Sequence, residues 1–413
     1  FQFLHLIGLC SLTYSHSHSC LQQLMCSHLH YYYGDNITVL KSILKDYHYD
    51  TIYFNMDYTV YARKRDNDIL TFCEGNNIKC IMIEDYLLSP INSYLKEDGT
   101  PYQKYTPFKN NAKKINGMIQ SPHSYSFGTN YDKLKTTKSS FKLSSLDKYY
   151  KKNPNILVHG GRKNALTILK NIKHFSNYTD VRNNLITQTT HMSSYIKFGC
   201  VSIREVYEKF MINQSLIDQL YWREFYYYLV YYIPRVLEGK SLKEKYDGIK
   251  WKNDPKIFKA WTNGMTGFPA VDAGMRELNE TGFMHNRARL ITSGILIKIL
   301  NCDWRMGEKY FAQKLSDYDP SVNNGNWQWS SGSGADSQPY FRILSPWKQA
   351  IDNDPDCLYI KKWLPELKDI PCKDILNWDE AYIKYKSSYP KPIVDYKFMR
   401  DDIIKIYKEG FTH

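Results

Sequence analysis

Around His30 the chain settles into short runs of aromatic and β-branched residues, LHYYYG, TIYFN and IKCIMIE, separated by ITVLKSILKDY and ARKRDNDILTFCEG, whose apolar positions recur three and four apart. Short apolar runs alternating with helical periods predict βαβ units around a parallel sheet. Past Gly160 the strand signals stop. ALTILKNIKHF, SIREVYEKFMI, SLIDQLYWREFYYYLVYYI, VDAGMRELNETG, HNRARLITSGILIKIL and GEKYFAQKLSDY each carry helical spacing, often closed by Gly or Pro. The pattern predicts a small, partial α/β domain over residues 35–108 and a larger, nearly all-α domain over 156–413. Between them, residues 109–155 are rich in Lys, Ser, Asn and Tyr with little periodicity and are expected to form a basic linker. No internal repeat is present.

Composition narrows the ligand. Aromatic residues make up 15% of the 413 positions, with 36 Tyr and 9 Trp, which suits a flat or aromatic ligand. A formal net charge of +13 points to nucleic acid, an acidic membrane surface or another anionic partner. Part of that charge is local, since eleven Lys between Lys104 and Lys152 face only Asp132 and Asp147, and a solvated linker explains them. The nine Cys form no C-x-x-C and no zinc-type spacing, so free thiols in a reducing, intracellular compartment and no metal are expected. The most hydrophobic helical stretch is interrupted by Asp218, Arg223 and Glu224, so a soluble protein without a membrane partner is expected. Residues 1–34 contain no Asp, Glu, Lys or Arg, yet hold five of the twelve His, and they have neither the charged start nor the apolar middle of a secretory signal. This segment is set aside as atypical.

Candidate chemistry lies in the helical half. Gln219, Trp222 and Arg223 stand at i, i+3 and i+4 and share one helix face, offering a carboxamide, an indole and a guanidinium together. A buried aromatic helix with a paired Arg would look the same. Asn286 and Arg289 share another face, and SDYDP offers Asp317 and Asp319 as carboxylates for that Arg. Next comes NNGNWQWSSGSGADSQPYFR, which sets Trp327 and Trp329 among Asn, Gly and Ser with hardly an aliphatic residue near. Asp317, Asp319, Asn323, Asn324 and Asn326 crowd into ten positions, and polar groups so dense need partners if buried. A ligand with many hydrogen-bonding edges, such as a flavin, would supply them, with TTHMSSY at a helix start to meet its phosphates. The same Ser/Thr pattern also serves as an ordinary N-cap. No GxGxxG or GxxxxGK[ST] occurs.

Taken in order, YWREF (221–225), TGFPAVDAGMRELNETGFMHNRARLITSGILIK (266–298), DWRMGEKYFAQKLSDYDPSVNNGNWQWSSGSGADSQPYFRILSP (303–346) and IKKWLPEL (360–367) resemble the photolyase/cryptochrome flavoproteins, most closely the class I cyclobutane pyrimidine dimer photolyases. The resemblance is weak over 35–108 and strong over 156–413. It implies an α/β antenna domain followed by a helical domain that holds FAD, with flavin contacts at Tyr178, Thr190, Ser193, Arg223, Asn286, Arg289, Asp317, Asp319 and Asn323. By the same matching, Asn323 lies beside the flavin N5 and Asp317 pairs with Arg289. Trp327, Trp304 and Trp251 match an electron-transfer chain running from the flavin to the surface. Trp222 and Trp329 match the walls of a lesion cleft that also takes in Gln219, Asn286 and Leu290. The implied partner is UV-damaged DNA, met by a monomeric enzyme in a compartment that holds DNA. The implied reaction is transfer of an electron from light-excited reduced flavin to a flipped-out dimer, followed by ring splitting and return of the electron.

The sequence departs from that family in several places. Gln219 stands where class I dimer photolyases usually carry Glu, and the (6-4) photolyases also carry Gln there, so (6-4) repair is one alternative. A blue-light-sensing cryptochrome is another, although WREF and WQW keep both cleft tryptophans. Leu290 replaces a Met, a swap that nearly conserves volume. Phe283 stands where many members have Trp, and Leu216 where some have another Trp. The family's first strand and the segment after it are not recognisable, which leaves open whether a folate or deazaflavin antenna is held.

Overall fold

The computed structural model describes residues 31–46, 49–116, 143–146, 148–337 and 339–411. Helix α1 (Asn36–Asp46) leads into strand β1 (Thr51–Asn55), helix α2 (Val60–Glu74) and strand β2 (Lys79–Ile83). The two strands pair in parallel, Thr51 opposite Lys79 and Phe54 opposite Met82, as the alternating pattern requires. The third expected strand, LHYYYG, does not extend the sheet. Its first residues lie outside the described ones, and Tyr32 and Tyr33 form only isolated bridges.

After an irregular stretch the chain forms α3 (Tyr105–Asn116), so residues 109–116 are helical rather than the start of a linker. The tertiary environment explains the difference: Tyr105, Phe108 and Ala112 are buried, a one-sided stripe hidden among the surrounding Lys and Asn. Residues 117–142 of the expected linker lie outside the described residues.

The remaining elements among the described residues are helical, and those α-helices of six or more residues are α4 (Arg162–Lys170), α5 (Met192–Lys197), α6 (Ile203–Phe210), α7 (Gln214–Tyr232), α8 (Pro255–Thr262), α9 (Pro269–Thr281), α10 (Asn286–Lys298), α11 (Trp304–Lys314), α12 (Pro320–Ser331), α13 (Pro346–Asn353), α14 (Leu358–Trp363) and α15 (Tyr396–Gly410). Their starts are written locally. Ser202 and Glu205 form a reciprocal capping box on α6, Asp254 caps α8 ahead of Pro255, and Asp319 caps α12 ahead of Pro320.

Two large cores result. One gathers Trp261, Phe268, Ile295, Trp304, Trp327 and Trp378 around α9 to α12. The other joins Tyr58, Leu87, Leu88, Tyr94 and Phe108 to Phe225, Tyr227 and Tyr228 of α7. The strand-bearing region therefore shares a core with the helical one instead of being tethered to it. Cys357 and Cys372 form a disulfide, contrary to the expectation of free thiols, because the chain folds back after α14 and brings their Cα atoms to 5.7 Å. Among the described residues no helix is long and apolar enough to cross a membrane.

Candidate functional site

A cavity of about 550 Å³ opens where α5, α7, α10 and α12 converge. It falls within the range of about 300–1,000 Å³ that ligand pockets occupy. Tyr178, Thr190, Ser193, Gln219, Trp222, Arg223, Asn286, Arg289, Leu290, Asp317, Asp319, Asn323, Trp327 and Trp329 all line it. Residues spread over some 150 positions thus share one surface. Trp251 and Trp304 do not line it.

The polar floor is built around two carboxylates. Asp317 accepts from Ser193 Oγ at 2.7 Å and from Arg289 Nη2 at 3.0 and 3.2 Å. Arg289 Nε in turn donates to the Met284 carbonyl at 2.8 Å, which fixes the guanidinium plane. Asp319 caps α12 by accepting from the backbone N–H of Ser321 and Val322, each at 3.0 Å. It also accepts the Tyr227 hydroxyl and pairs with Lys197 at 3.1 Å. Burial alone would raise this carboxyl, but Lys197, the Tyr227 hydroxyl and Arg223 outweigh it and hold Asp319 below the usual carboxylate range.

Arg223 is sandwiched between the rings of Tyr86 and Tyr227, at 4.6 and 4.7 Å, and donates to the Tyr86 carbonyl at 2.9 Å. Its neighbour Glu224 is fully buried, pairs with it at 3.1 Å and accepts from the Leu88 N–H and the Tyr94 hydroxyl. Burial pushes the Glu224 carboxyl up to about 7 despite those partners. This one helical turn ties the cavity wall to the strand-bearing region.

Not all of the crowded polar residues face the cavity. Asn323 lines it, donating from Nδ2 to Glu308 Oε1 at 2.9 Å and to the Glu308 carbonyl at 3.2 Å. Asn326 also lines it, whereas Asn324 turns away, donating to the Val236 carbonyl at 3.0 Å and accepting from Gln328. The Asn324 expectation is corrected by helical geometry, because a run that is helical cannot present every position to one side. TTHMSSY likewise differs from a Ser/Thr cap: His191, in the left-handed region at φ 49°, occupies the N-cap of α5, and Thr190 Oγ1 only accepts from the Met192 N–H at 3.4 Å.

Trp327 and Trp329 are two positions apart on α12, so they point to nearly opposite sides. Trp327 is buried, with its ring centre 5.0 Å from Phe311 and 6.2 Å from Trp261, and Gly307 and Gly325 let α11 and α7 approach. A Cβ on Gly307 would strike the Trp327 ring, and one on Gly325 would strike Tyr226. Trp329 is half-buried, anchored by donation from Nε1 to the Asp336 carbonyl at 3.1 Å. Trp304 is buried in the core it shares with Trp327, and Trp251 is partly exposed beside Tyr407 at 5.7 Å.

Several contributors went unread in the sequence: His191, Lys197, Tyr226, Glu308 and Phe311, with Tyr86 and Tyr105 behind the walls. They come from separate stretches of the chain, α5 with its cap, α7 and α11, and Glu308 acts only through Asn323, so no single spacing joins them.

Similarity to known proteins agrees with this arrangement. Residues 216–409 match the family model described as the FAD binding domain of DNA photolyase, and residues 20–123 match the model described as DNA photolyase. The latter begins inside the segment set aside above. A deoxyribodipyrimidine photo-lyase of Halobacterium salinarum is 31% identical, the match covering 92% of this chain and 82% of the relative. A photolyase structure from Sulfolobus tokodaii, solved with two FAD molecules, superposes with a TM-score of 0.79 at 35% identity, covering 91% of this chain and 82% of that one. A cryptochrome structure from Synechocystis gives 0.81 at 25% identity, covering 90% and 82%.

Proposed function

Because the chain belongs to the DNA photolyase family, we propose that it is a deoxyribodipyrimidine photo-lyase, splitting cyclobutane pyrimidine dimers in DNA with light and bound FAD. The observation that carries this reading is the joining, in one cavity, of the Ser193–Asp317–Arg289 cluster to the aromatic walls Trp222 and Trp329.

The cavity suits a flavin on its own chemistry. It offers donors in Arg289 and Asn286, acceptors in Asp317 and Asn323, and flat apolar surface in Phe283, Phe311 and Trp327. We assign Tyr178, Thr190, Ser193, Arg223, Asn286, Arg289, Asp317, Asp319 and Asn323 to holding FAD. The Asn323 amide nitrogen donates to Glu308, which leaves its oxygen as an acceptor for a flavin N–H. FAD bound there supplies the light absorption and the electron that opens the dimer, and the electron returns with no net redox change.

The protein's own tasks are to extract, orient and desolvate the lesion. Trp222 and Trp329 receive the flipped bases, a dimer being cheaper to unstack than an intact pair. Gln219, tied by Nε2 to the Ser215 carbonyl at 3.3 Å, offers its amide to the pyrimidine edges without carrying a charge. Asn286 and Leu290 complete the cleft. Trp327, Trp304 and Trp251, running from buried to partly exposed, form a route by which oxidised flavin is reduced from the surface. The net charge of +13 supplies salt-dependent, sequence-independent attraction to the DNA backbone.

The test is repair itself. Reduced protein is incubated with an oligonucleotide holding one thymine cyclobutane dimer, in blue light and in darkness, and recovered thymine absorbance is followed. Light-dependent recovery is expected. Absence of recovery with FAD bound and the lesion bound would overturn dimer repair in favour of (6-4) repair or a sensory role.

A further inference from the structure

The indole of Trp222 forms part of the cavity wall, and a ring from a distant part of the chain lies against it. Tyr105, the first residue of α3, is parallel to it, with ring centres 3.6 Å apart and planes at 5°. Most neighbouring contacts in the same core are tilted or edge-on, as between Tyr94 and Phe108 or Tyr105 and Phe225, and the other near-parallel partner of this indole, Tyr226, lies much farther off at 5.8 Å and 29°. Two isolated rings avoid so direct an overlay because their negative faces repel, so other groups must impose it.

Those groups are visible. The Tyr105 hydroxyl donates to the Asp218 carbonyl at 2.8 Å, one turn before Trp222 on α7. The Asp218 carboxylate takes Lys109 Nζ at 3.0 Å and Gln214 Nε2 at 2.9 Å. Lys109 also stands 5.5 Å from the Tyr105 ring centre, where a cation offsets repulsion between the two π faces. Tyr105 is thus held at its hydroxyl, its ring and its helix, and its own face holds the indole.

We propose that Tyr105 is a positioning residue for lesion binding, fixing the plane of Trp222 before the damaged bases arrive. The proposal rests on the reading of Trp222 as a wall of the lesion cleft. Torsion about an indole's second side-chain bond is broad, and a ring bordering an open cavity would otherwise be ordered only on binding, at a cost in affinity. A tyrosine that merely filled space would be replaceable by any apolar side chain of like volume.

The experiment compares dark binding of flavin-loaded variants to a duplex with one thymine dimer and to the same duplex undamaged. Tyr105→Leu is expected to raise the Kd for the lesion about three- to tenfold, the equivalent of leaving one side chain to be ordered on binding. Flavin content and affinity for undamaged duplex stay unchanged. Tyr105→Phe, which keeps the ring and its contact with Lys109 but loses the hydroxyl bond to Asp218, is expected to fall between wild type and Tyr105→Leu. Tyr105→Met, which fills volume without a π face, provides a second test should the leucine variant fold poorly. Wild-type lesion affinity in Tyr105→Leu and Tyr105→Met, or parallel loss on both duplexes, overturns the proposal. Trp222→Ala separates the two ideas. Unchanged lesion affinity there defeats the cleft reading, while weakened affinity there with none in Tyr105→Leu defeats only the role of Tyr105.

Discussion

Arg289 and Asp317 meet from two different elements: a single guanidinium nitrogen, Nη2, reaches both carboxylate oxygens, at 3.0 and 3.2 Å, while Ser193 Oγ donates to one of them. The carboxylate is nearly buried, with 4% of its side chain exposed, so an uncompensated guanidinium beside it would be expensive. Asp317→Asn is expected to weaken FAD retention by about thirtyfold, the lower end of the cost of breaking a desolvated charge pair. The ratio of flavin to protein absorbance after gel filtration, against free FAD, measures it.

Gly307 lies where α11 presses on the Trp327 ring. In an exposed helix Gly→Ala gains about 1 kcal/mol, but forcing a methyl into a packed core costs about 1–3 kcal/mol. Gly307→Ala is therefore expected to lower stability and to displace Trp327. A thermal melt no lower than wild type would contradict the close approach.

His285 caps α10 by accepting from the Arg287 N–H at Nδ1, 3.2 Å away, just before Asn286 and Arg289. Burial, then Arg289 and His191, hold its pKa down to about 4, so the folded protein prefers the neutral ring. The sign follows: this contribution to stability is complete above the unfolded value of about 6.5 and is lost as pH falls from there through about 4. Over that window wild type is expected to lose up to about 3 kcal/mol through this group. His285→Asn keeps a capping side chain without the ionisation. Denaturant unfolding at several pH values should give the variant a shallower acid slope, and equal slopes would remove His285 as the source.

Trp327→Phe tests the electron route. Light-driven reduction of oxidised flavin is expected to slow by more than about tenfold, since each 1.4 kcal/mol added to a barrier costs that factor. Protein reduced chemically in advance should still repair dimers, because the lesion does not need this route. Flavin absorbance under illumination with an external donor provides the readout.

Much of the fold was legible locally. SIREVYEKFMI and HNRARLITSGILIKIL show their helices by spacing, and β1 and β2 follow from their alternation with helical segments, whereas the helices after Asp254 and Asp319 went unread although each begins with a capping Asp before Pro. Fourteen of the residues that line the candidate cavity were also named from the sequence, because family motifs preserve order even where no single spacing is diagnostic.

Other features depended on chain closure. Residues 109–116 read as a polar linker, and only a partner for Tyr105, Phe108 and Ala112 makes them a helix with a buried stripe. Cys357 and Cys372 carry no pairing signal until the chain folds back after α14 and brings them together. The sequence by itself determined where helices begin, which half of the chain is helical and which polar residues crowd together, because caps and periodicity act over a few neighbouring residues. Only the tertiary structure decided that Trp327 is buried where core and cavity meet while Trp329 stays half-buried on the cavity wall, that Asn324 turns from the cavity, and that Tyr105 lies flat on Trp222. Those outcomes depend on which surfaces meet between stretches far apart in the chain, and burial rewards a contact only after the chain has closed.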